Sequence, residues 1–280
     1  MSYPPQSARP ASASAWLYRF PTGDQITARL FCVPFAGGSA HAFADWAREL
    51  TPGVELLAVQ LPGRGARIAE APVSNQNQLL DAVFEALLPL TDLPYFIFGH
   101  SMGGRIAYEL SSRLRDSGHR LPEALVVSAT RPPHLPRTAS PVHDLPRDEF
   151  YAQLRALGGM SSEVLQSPEL LELLEPALRA DFRLVETWVP LGHAPLPIPI
   201  HAVGGCSDAY VGARDLDQWS SYTSRGFSLK LFDGGHFYIN KNSVIFFNWL
   251  REILTQKSVM TDRAADFFGV SADTLSVSSR

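Results

Sequence analysis

A pentapeptide GHSMG at residues 99–103 lies between an apolar run and a helical pattern, and it restricts the possible folds of this chain more than any other feature. The run before it, residues 94–99 (PYFIFG), is typical of a buried strand, and residues 103–117 have the periodicity of a helix. A serine between two such elements sits on a sharp, strained turn, where side chains at the flanking positions would collide with the strand and the helix. Glycine at both flanks meets this requirement, so we predict that Ser101 is a nucleophile held on that turn.

Short apolar runs alternate with helical patterns along most of the chain, which favours a parallel sheet with crossover helices. We predict strands over residues 29–35, 54–61, 94–99, 124–128, 199–203 and 227–232, and helices over residues 40–50, 77–90, 103–117, 215–224 and 243–255. A nucleophile turn in this setting is typical of the α/β-hydrolase fold, in which a mostly parallel central sheet is flanked by helices.

The alternation breaks at residues 131–195, which contain nine prolines and two or three helical stretches but no clear strand. We interpret this segment as a helical lid inserted between two core strands. Residues 1–15 are rich in Pro, Ser and Ala and are expected to be a disordered arm. The hydrolase domain is then predicted over residues 16–255, and residues 256–280 form a polar tail.

A serine hydroxyl is a weak nucleophile and needs a general base, which an acid must orient. In this fold the chain order is serine, acid, histidine. His236 is the best candidate for the base, because it follows strand 227–232 through Asp233-Gly234-Gly235 and so lies at the edge of the sheet where Ser101 is expected. Of the other histidines that we considered, His41 and His100 precede the serine, His134, His143 and His193 fall in the lid, and His201 lies within a strand.

Asp208 is our candidate for the acid, because it lies just beyond strand 199–203 at the same edge of the sheet. The strand before it ends in Ser-Ala-Thr-Arg at residues 128–131 and offers no carboxylate. Asp215 and Asp217 are rivals, but they open a helix, where acidic residues commonly act as caps. Asp233 is close to His236 in sequence, although a role in the turn is the better interpretation.

A tetrahedral oxyanion needs two backbone N–H donors. One is expected from Met102, the residue after the nucleophile, and the other from Ala36, in the loop after strand 29–35. The chain has no HExxH, P-loop or GxGxxG motif, so we expect no metal and no nucleotide cofactor.

Charge and hydropathy exclude several other classes of function. The net charge is −4, whereas nucleic-acid binding usually requires a basic face. No apolar run reaches the roughly 20 residues of a membrane-spanning helix, and the N-terminus lacks the apolar stretch of a signal peptide. We therefore expect a soluble, cytoplasmic protein without a disulfide between its two cysteines. A monomer is the default expectation, because we find no coiled-coil heptads.

Four spaced motifs resemble type II thioesterases, the stand-alone editing enzymes of polyketide and nonribosomal peptide assembly lines. They are PFAGGS at residues 34–39, QLPGR at 60–64 with Arg67 after it, GHSMGG at 99–104 and AYEL at 107–110. The resemblance covers roughly residues 16–254 and implies the same triad, Ser101, Asp208 and His236, with the oxyanion donors Ala36 and Met102. The chain departs from the family at Phe35, where His is common, and at Gly104, where Ala is common.

The resemblance implies hydrolysis of acyl or aminoacyl groups from the phosphopantetheine arm of acyl or peptidyl carrier proteins, the arm belonging to the substrate. The apolar face of residues 170–182 then either lines the acyl chamber or packs the lid onto the core. Arg64 and Arg67 either meet carrier phosphates or form structural salt bridges. The alternatives are a small-molecule carboxylesterase or an acyltransferase on the same fold, and a noncatalytic protein that docks carriers.

Overall fold

Seven strands form the central sheet of the computed structural model, which describes residues 13–255 except 24, 51, 137–139, 191, 193 and 241–242. The strands are β1 (Leu17–Arg19), β2 (Ala28–Val33), β3 (Val54–Val59), β4 (Tyr95–His100), β5 (Ala124–Ser128), β6 (Ile200–Gly205) and β7 (Phe227–Phe232). Their order in the sheet is β1-β3-β2-β4-β5-β6-β7. Only β1 pairs antiparallel among these strands, so the carboxyl ends of the other six meet at one edge.

Helices cover both faces of this sheet. They are α1 (Ala44–Leu50), α2 (Gln76–Leu87), α3 (Met102–Asp116), α4 (Arg147–Leu157), α5 (Ser162–Gln166), α6 (Pro168–Glu186), α7 (Ala213–Asp217) and α8 (Ser243–Thr255). Along β4 the side chains alternate, so that Ile97 packs with α2 and α3 while Phe98 packs with α1 and α8. The predicted α/β class is confirmed. No helix of the described residues is long and apolar enough to cross a membrane.

The observed elements differ from the predicted ones mainly at helix ends. The first part of the predicted helix 40–50 is a 3₁₀ turn over Ala40–Phe43, and helix 215–224 is replaced by α7 and a 3₁₀ turn over Gln218–Tyr222. The edge strand β1 was not predicted. Ala13–Trp16 form a 3₁₀ helix, although residues 13–15 were expected to belong to the arm; residues 1–12 and the tail 256–280 lie outside the described residues.

Three helices, α4 to α6, lie between β5 and β6, where the lid was predicted. The first turn of α6 is capped by Ser167, whose hydroxyl accepts a hydrogen bond from Leu170 N–H at 3.3 Å. Phe150 and Leu154 of α4 pack against Leu178 of α6 in a small cluster of their own. The inserted helices therefore form a packed unit over the carboxyl edge of the sheet.

The turn from β4 into α3 depends on two close backbone contacts. A Cβ atom on Gly99 would lie 2.1 Å from the carbonyl oxygen of Gly103, and a Cβ on Gly103 would lie 2.1 Å from that of Val33 in β2. Neither distance is sterically possible, and the obstructing atoms belong to the backbone, which cannot move aside as a side chain can. Glycine is therefore required at both positions.

We expect Gly103→Ala to destabilise the protein by about 3 kcal/mol, because the added methyl group must push α3 away from β2. The matched control is Gly226→Ala: Gly226 is exposed, its φ is not positive and no atom lies within 4 Å of an added Cβ, so its change should stay within about 0.5 kcal/mol. Urea unfolding of both variants measures the difference. Equal midpoints for the two variants would contradict the role of the close contact.

Candidate active site

Ser101 occupies the strained turn predicted from the pentapeptide. Its φ of 55° and ψ of −116° lie outside the regions favoured by residues with a side chain. The conformation is held from β5: Ser101 N–H donates to the carbonyl oxygen of Ser128 at 2.7 Å, and the Thr130 hydroxyl donates to the carbonyl oxygen of Ser101. The surrounding hydrogen bonds thus fix a backbone geometry that would otherwise cost about 1–3 kcal/mol.

His236 and Asp208 lie in line with the Ser101 hydroxyl. His236 Nε2 is 3.0 Å from Ser101 Oγ, and His236 Nδ1 is 2.8 Å from Asp208 Oδ2. The other carboxylate oxygen of Asp208 accepts hydrogen bonds from the N–H groups of Tyr210 (2.8 Å) and Val211 (3.1 Å). The Asp208 carboxylate is fully buried, and hydrogen bonds fix both of its oxygens.

The loops that carry Asp208 and His236 contact each other directly. Ser207 N–H, beside Asp208, donates to the carbonyl oxygen of Gly234 at 2.9 Å. A Cβ on Gly205 would lie 2.2 Å from the carbonyl oxygen of Gly235, immediately before His236. This contact brings the chain after β6 against the chain after β7 and sets the distance between the two side chains.

The alternative candidates for the acid and the base take part in other interactions. Asp215 accepts a hydrogen bond from Gly212 N–H at 3.2 Å and pairs with Arg131, as expected for a helix cap. Asp233 Oδ1 contacts the Cys206 thiol. Several other histidines have contacts of their own: His41 with Tyr18, His119 with Phe84, His134 with Tyr222, His143 with Glu186 and His201 with Ser228.

Both predicted oxyanion donors lie in cavity walls that include Ser101. Ala36 lines one cavity and Met102 the other. Among the hydrogen bonds of the described residues, none uses the backbone N–H of either residue. The next N–H along the loop is different, because Gly37 N–H donates to Asp181 Oδ2 of α6 at 2.7 Å.

Two cavities meet at Ser101 and His236. The first, of about 120 Å³, is mostly apolar and is closed by the inserted helices. Its wall includes Phe35, Ala36, Arg64, Leu154, Leu157, Met160, Leu174, Leu178, Phe182 and Phe237. The second, of about 300 Å³, is more open and carries polar side chains, including Arg105, Arg131, Ser140 and Gln153. Of the apolar face expected over residues 170–182, Leu174, Leu178 and Phe182 line the first cavity, whereas Leu170 and Leu173 are exposed.

Arg64 and Arg67 are buried structural residues rather than exposed cations. Arg64 forms a two-point ion pair with Asp181, and Arg67 pairs with Glu70 and stacks on Trp16. Asp181 was not predicted as a site residue. The signal for it in the sequence is an acidic side chain three residues after Leu178, on the apolar side of the helix.

Three buried polar side chains beside His236 form a hydrogen-bonded series. His100 Nδ1 is 2.8 Å from Ser128 Oγ, which is 2.7 Å from the Tyr238 hydroxyl. Burial, and secondarily the neighbouring His236, holds the pKa of His100 well below its usual value. Burial likewise raises the pKa of Tyr238. His100 is therefore neutral and places no positive charge beside the base.

The two departures from the resembled family have local explanations. Phe35 contacts the rings of His100 and Phe237 edge-on and adds apolar surface to the first cavity. A Cβ on Gly104 would lie 2.5 Å from Thr130 Oγ1, the hydroxyl that holds Ser101. Glycine at 104 thus makes room for that hydroxyl.

The described part of the chain contains no group of three or more His, Cys, Asp or Glu side chains arranged for a metal ion. Cys32 is buried, which raises the pKa of its thiol, and Cys206 is exposed; both are free.

Comparison with known proteins identifies the family. The Thioesterase domain model matches residues 28–254. The gramicidin S biosynthesis protein GrsT of Aneurinibacillus migulanus is 35% identical over 229 residues, which make up 82% of this chain and 90% of GrsT. Thioesterase PikA5 of Streptomyces venezuelae is 38% identical over 227 residues, 80% of each chain.

Comparison with solved structures gives the same family. The type II thioesterase BorB from the borrelidin biosynthetic cluster has a TM-score of 0.79 and 37% identity, covering 86% of this chain and 98% of BorB. YbtT, a type II thioesterase from the yersiniabactin pathway, has a TM-score of 0.76 and 30% identity over 85% of this chain and 97% of YbtT. With its seven-stranded sheet and inserted helices, this chain belongs to the thioesterase family, has the α/β-hydrolase fold and is a thioester hydrolase.

Proposed function

We propose that Ser101, His236 and Asp208 are the catalytic triad of an editing thioesterase, which releases acyl or aminoacyl groups from the phosphopantetheine arm of carrier proteins. The observation that carries this proposal is the hydrogen-bonded series itself, with 3.0 Å from serine to histidine and 2.8 Å from histidine to aspartate, at the junction of two cavities. The role of this enzyme is to clear stalled or misprimed polyketide and nonribosomal peptide assembly lines.

Acylation begins at the Ser101 hydroxyl. Its oxygen attacks the thioester carbonyl carbon while His236 Nε2 takes the proton, and the carbonyl oxygen becomes a tetrahedral oxyanion. The N–H groups of Ala36 and Met102 stabilise that charge. The carbon–sulfur bond then breaks, and the phosphopantetheine thiol leaves with the proton from His236.

Deacylation repeats the sequence with water. His236 removes a proton from a water molecule, whose oxygen attacks the acyl-serine ester through a second oxyanion in the same position. The ester bond breaks, Ser101 recovers its proton from His236 and the free acid leaves. Asp208 stays ionised throughout and keeps Nδ1–H directed toward itself, so that Nε2 is the basic nitrogen.

The two cavities suit the two parts of such a substrate. The small apolar cavity fits a short acyl chain, and the larger, more polar one fits the amide-containing phosphopantetheine arm. The relatives support this setting: YbtT comes from a yersiniabactin NRPS/PKS pathway and GrsT from gramicidin S biosynthesis. Carrier protein domains are therefore the proposed partners.

Ser101→Ala should lower the rate of acetyl or propionyl release from a loaded carrier protein by about 10⁴-fold or more, because no other group forms the acyl-enzyme. Mass spectrometry of the loaded carrier measures release directly. Ser207→Ala is the matched control: Ser207 is exposed beside Asp208, and its loss should leave the rate unchanged. Substantial turnover by the Ser101 variant would remove the serine from the mechanism.

Asp208→Asn should lower kcat by about 10⁴-fold with KM nearly unchanged, since an amide at 208 stabilises the wrong tautomer of His236. Steady-state kinetics on the loaded carrier separates the two constants. Asp217→Asn, at an exposed position on α7, is the control and should be silent. A variant that loses less than tenfold would mean that another group orients His236.

The protein should have a higher kcat/KM for acyl-carrier thioesters than for simple oxygen esters. The open second cavity gives the arm and the carrier binding surface that a p-nitrophenyl group does not use. Parallel assays with acetyl-carrier and p-nitrophenyl acetate measure the ratio. A clear preference for the oxygen ester would instead favour a small-molecule carboxylesterase.

A further inference from the structure

Asp181 connects an inserted helix to the loop that carries one oxyanion donor. It lies on α6 with a side chain that is 1% exposed, and its partner Arg64 is 3% exposed. Arg64 Nη2 donates to Asp181 Oδ1 at 2.8 Å, and Nη1 donates to Oδ2. The same Oδ2 accepts the Gly37 N–H at 2.7 Å. One carboxylate therefore joins α6, the loop after β3 and the loop after β2.

The hydrogen bond to Gly37 acts on the peptide unit next to the donor. Ala36 and Gly37 share one planar peptide bond, so an acceptor that holds its N–H restrains the orientation of the whole plane. The direction of the Ala36 N–H relative to Ser101 then depends only on the φ and ψ rotations within Ala36, measured from that plane.

Packing supports the same arrangement. A Cβ on Gly37 would lie 2.6 Å from Leu178 Cδ2, so the loop lies directly against α6. Arg64 also reaches the loop, with Nη1 3.4 Å from the carbonyl oxygen of Gly38. Leu178, one turn before Asp181, lines the first cavity. The helix that closes this cavity is thus the helix that holds the oxyanion loop.

We propose that Asp181 is a positioning residue for the oxyanion hole, holding Ala36 in place through its hydrogen bond to Gly37 N–H while Arg64 fixes the carboxylate. A consequence is that the oxyanion hole is complete only when α6 is seated on the core. The proposal rests on the role of Ala36 proposed above, and it concerns the developing oxyanion of any acyl substrate.

The test variant replaces both charges, Asp181→Leu with Arg64→Met. Exchanging a buried ion pair for apolar residues of similar volume commonly preserves stability, whereas removing one partner leaves an unpaired buried charge. The double variant should keep its melting temperature but lose the acceptor for Gly37 N–H. We expect kcat to fall about 10- to 100-fold with KM within threefold, less than the roughly 10²–10³-fold typical for deleting a donor outright.

Two further variants separate this role from a general structural one. Asp181→Asn combined with Arg64→Met (the Asn/Met variant) retains an oxygen that can accept from Gly37 N–H and leaves no unpaired buried charge, so its kcat should remain within threefold of the wild-type value. Glu175→Gln alters a second largely buried carboxylate on α6, which pairs with the more exposed Arg179 and Arg147 rather than with the oxyanion loop. The kcat of this variant should stay within threefold of the wild-type value. A larger loss would show that any change in the charges of α6 lowers activity.

The decisive readout is affinity for a tetrahedral adduct of Ser101. A boronic acid that forms such an adduct should bind the double variant more weakly by the same factor as kcat/KM falls. Activity is measured on both acetyl-carrier and p-nitrophenyl acetate. If the wild type hydrolyses only the latter, the carrier assignment fails, while the role of Asp181 is still tested because both substrates form the same oxyanion.

Three outcomes would overturn the proposal. One is a folded Asp181→Leu, Arg64→Met variant that keeps kcat within threefold. Another is an unchanged affinity of that variant for the boronic acid, and a third is an Asn/Met variant that loses as much activity as the Leu/Met one. Amide hydrogen exchange needs no variant and covers the case in which the double variant fails to fold. The Gly37 N–H of the wild type should be protected, and free exchange at that amide would equally refute its anchoring by Asp181.

Discussion

The contact between the first turn of α3 and the end of β2 is the constraint on which the site depends. Because a Cβ on Gly103 would lie 2.1 Å from the Val33 carbonyl oxygen and 2.7 Å from that of Pro34, the helix that follows the nucleophile lies against the chain that leads into the oxyanion loop. The position of Ser101 and that of Ala36 are therefore not independent. One glycine contact brings the nucleophile and the predicted donor together before any side chain takes part.

Asp208 and His236, the proposed acid and base, are placed by the same kind of contact, at Gly205 against the carbonyl oxygen of Gly235. The strand β5 lies between these two backbone contacts. It contributes none of Ser101, Asp208 and His236, but Ser128 in β5 and Thr130 just after it contact the surroundings of these residues. Thr130 holds the Ser101 carbonyl, and Ser128 links the buried His100 to Tyr238 behind the base. Such short, directional interactions from rigid strands keep reacting atoms at a fixed distance better than apolar packing alone would.

The sequence predicted best the features that depend on local patterns. The strands 124–128 and 227–232 and the helix 243–255 have the predicted bounds, because each is a compact apolar run or amphipathic stretch between clear turn signals. The strand β1 was missed because three residues carry no measurable periodicity. The pairing of Asp181 with Arg64 joins residues 117 positions apart, so an acid on an apolar helix face could be noticed in the sequence while its partner could not.

The energetics of that pair argue for a role beyond attachment of the inserted helices. Burying two charges costs several kcal/mol per ion, and the attraction between them offsets this only with good geometry and further hydrogen bonds. Leucine and methionine at the same positions would attach α6 to the core at least as well. What an apolar pair cannot do is accept the Gly37 N–H, the one interaction of Asp181 that reaches the loop of Ala36. A carboxylate at this position is therefore better explained by the orientation of a backbone donor than by stability.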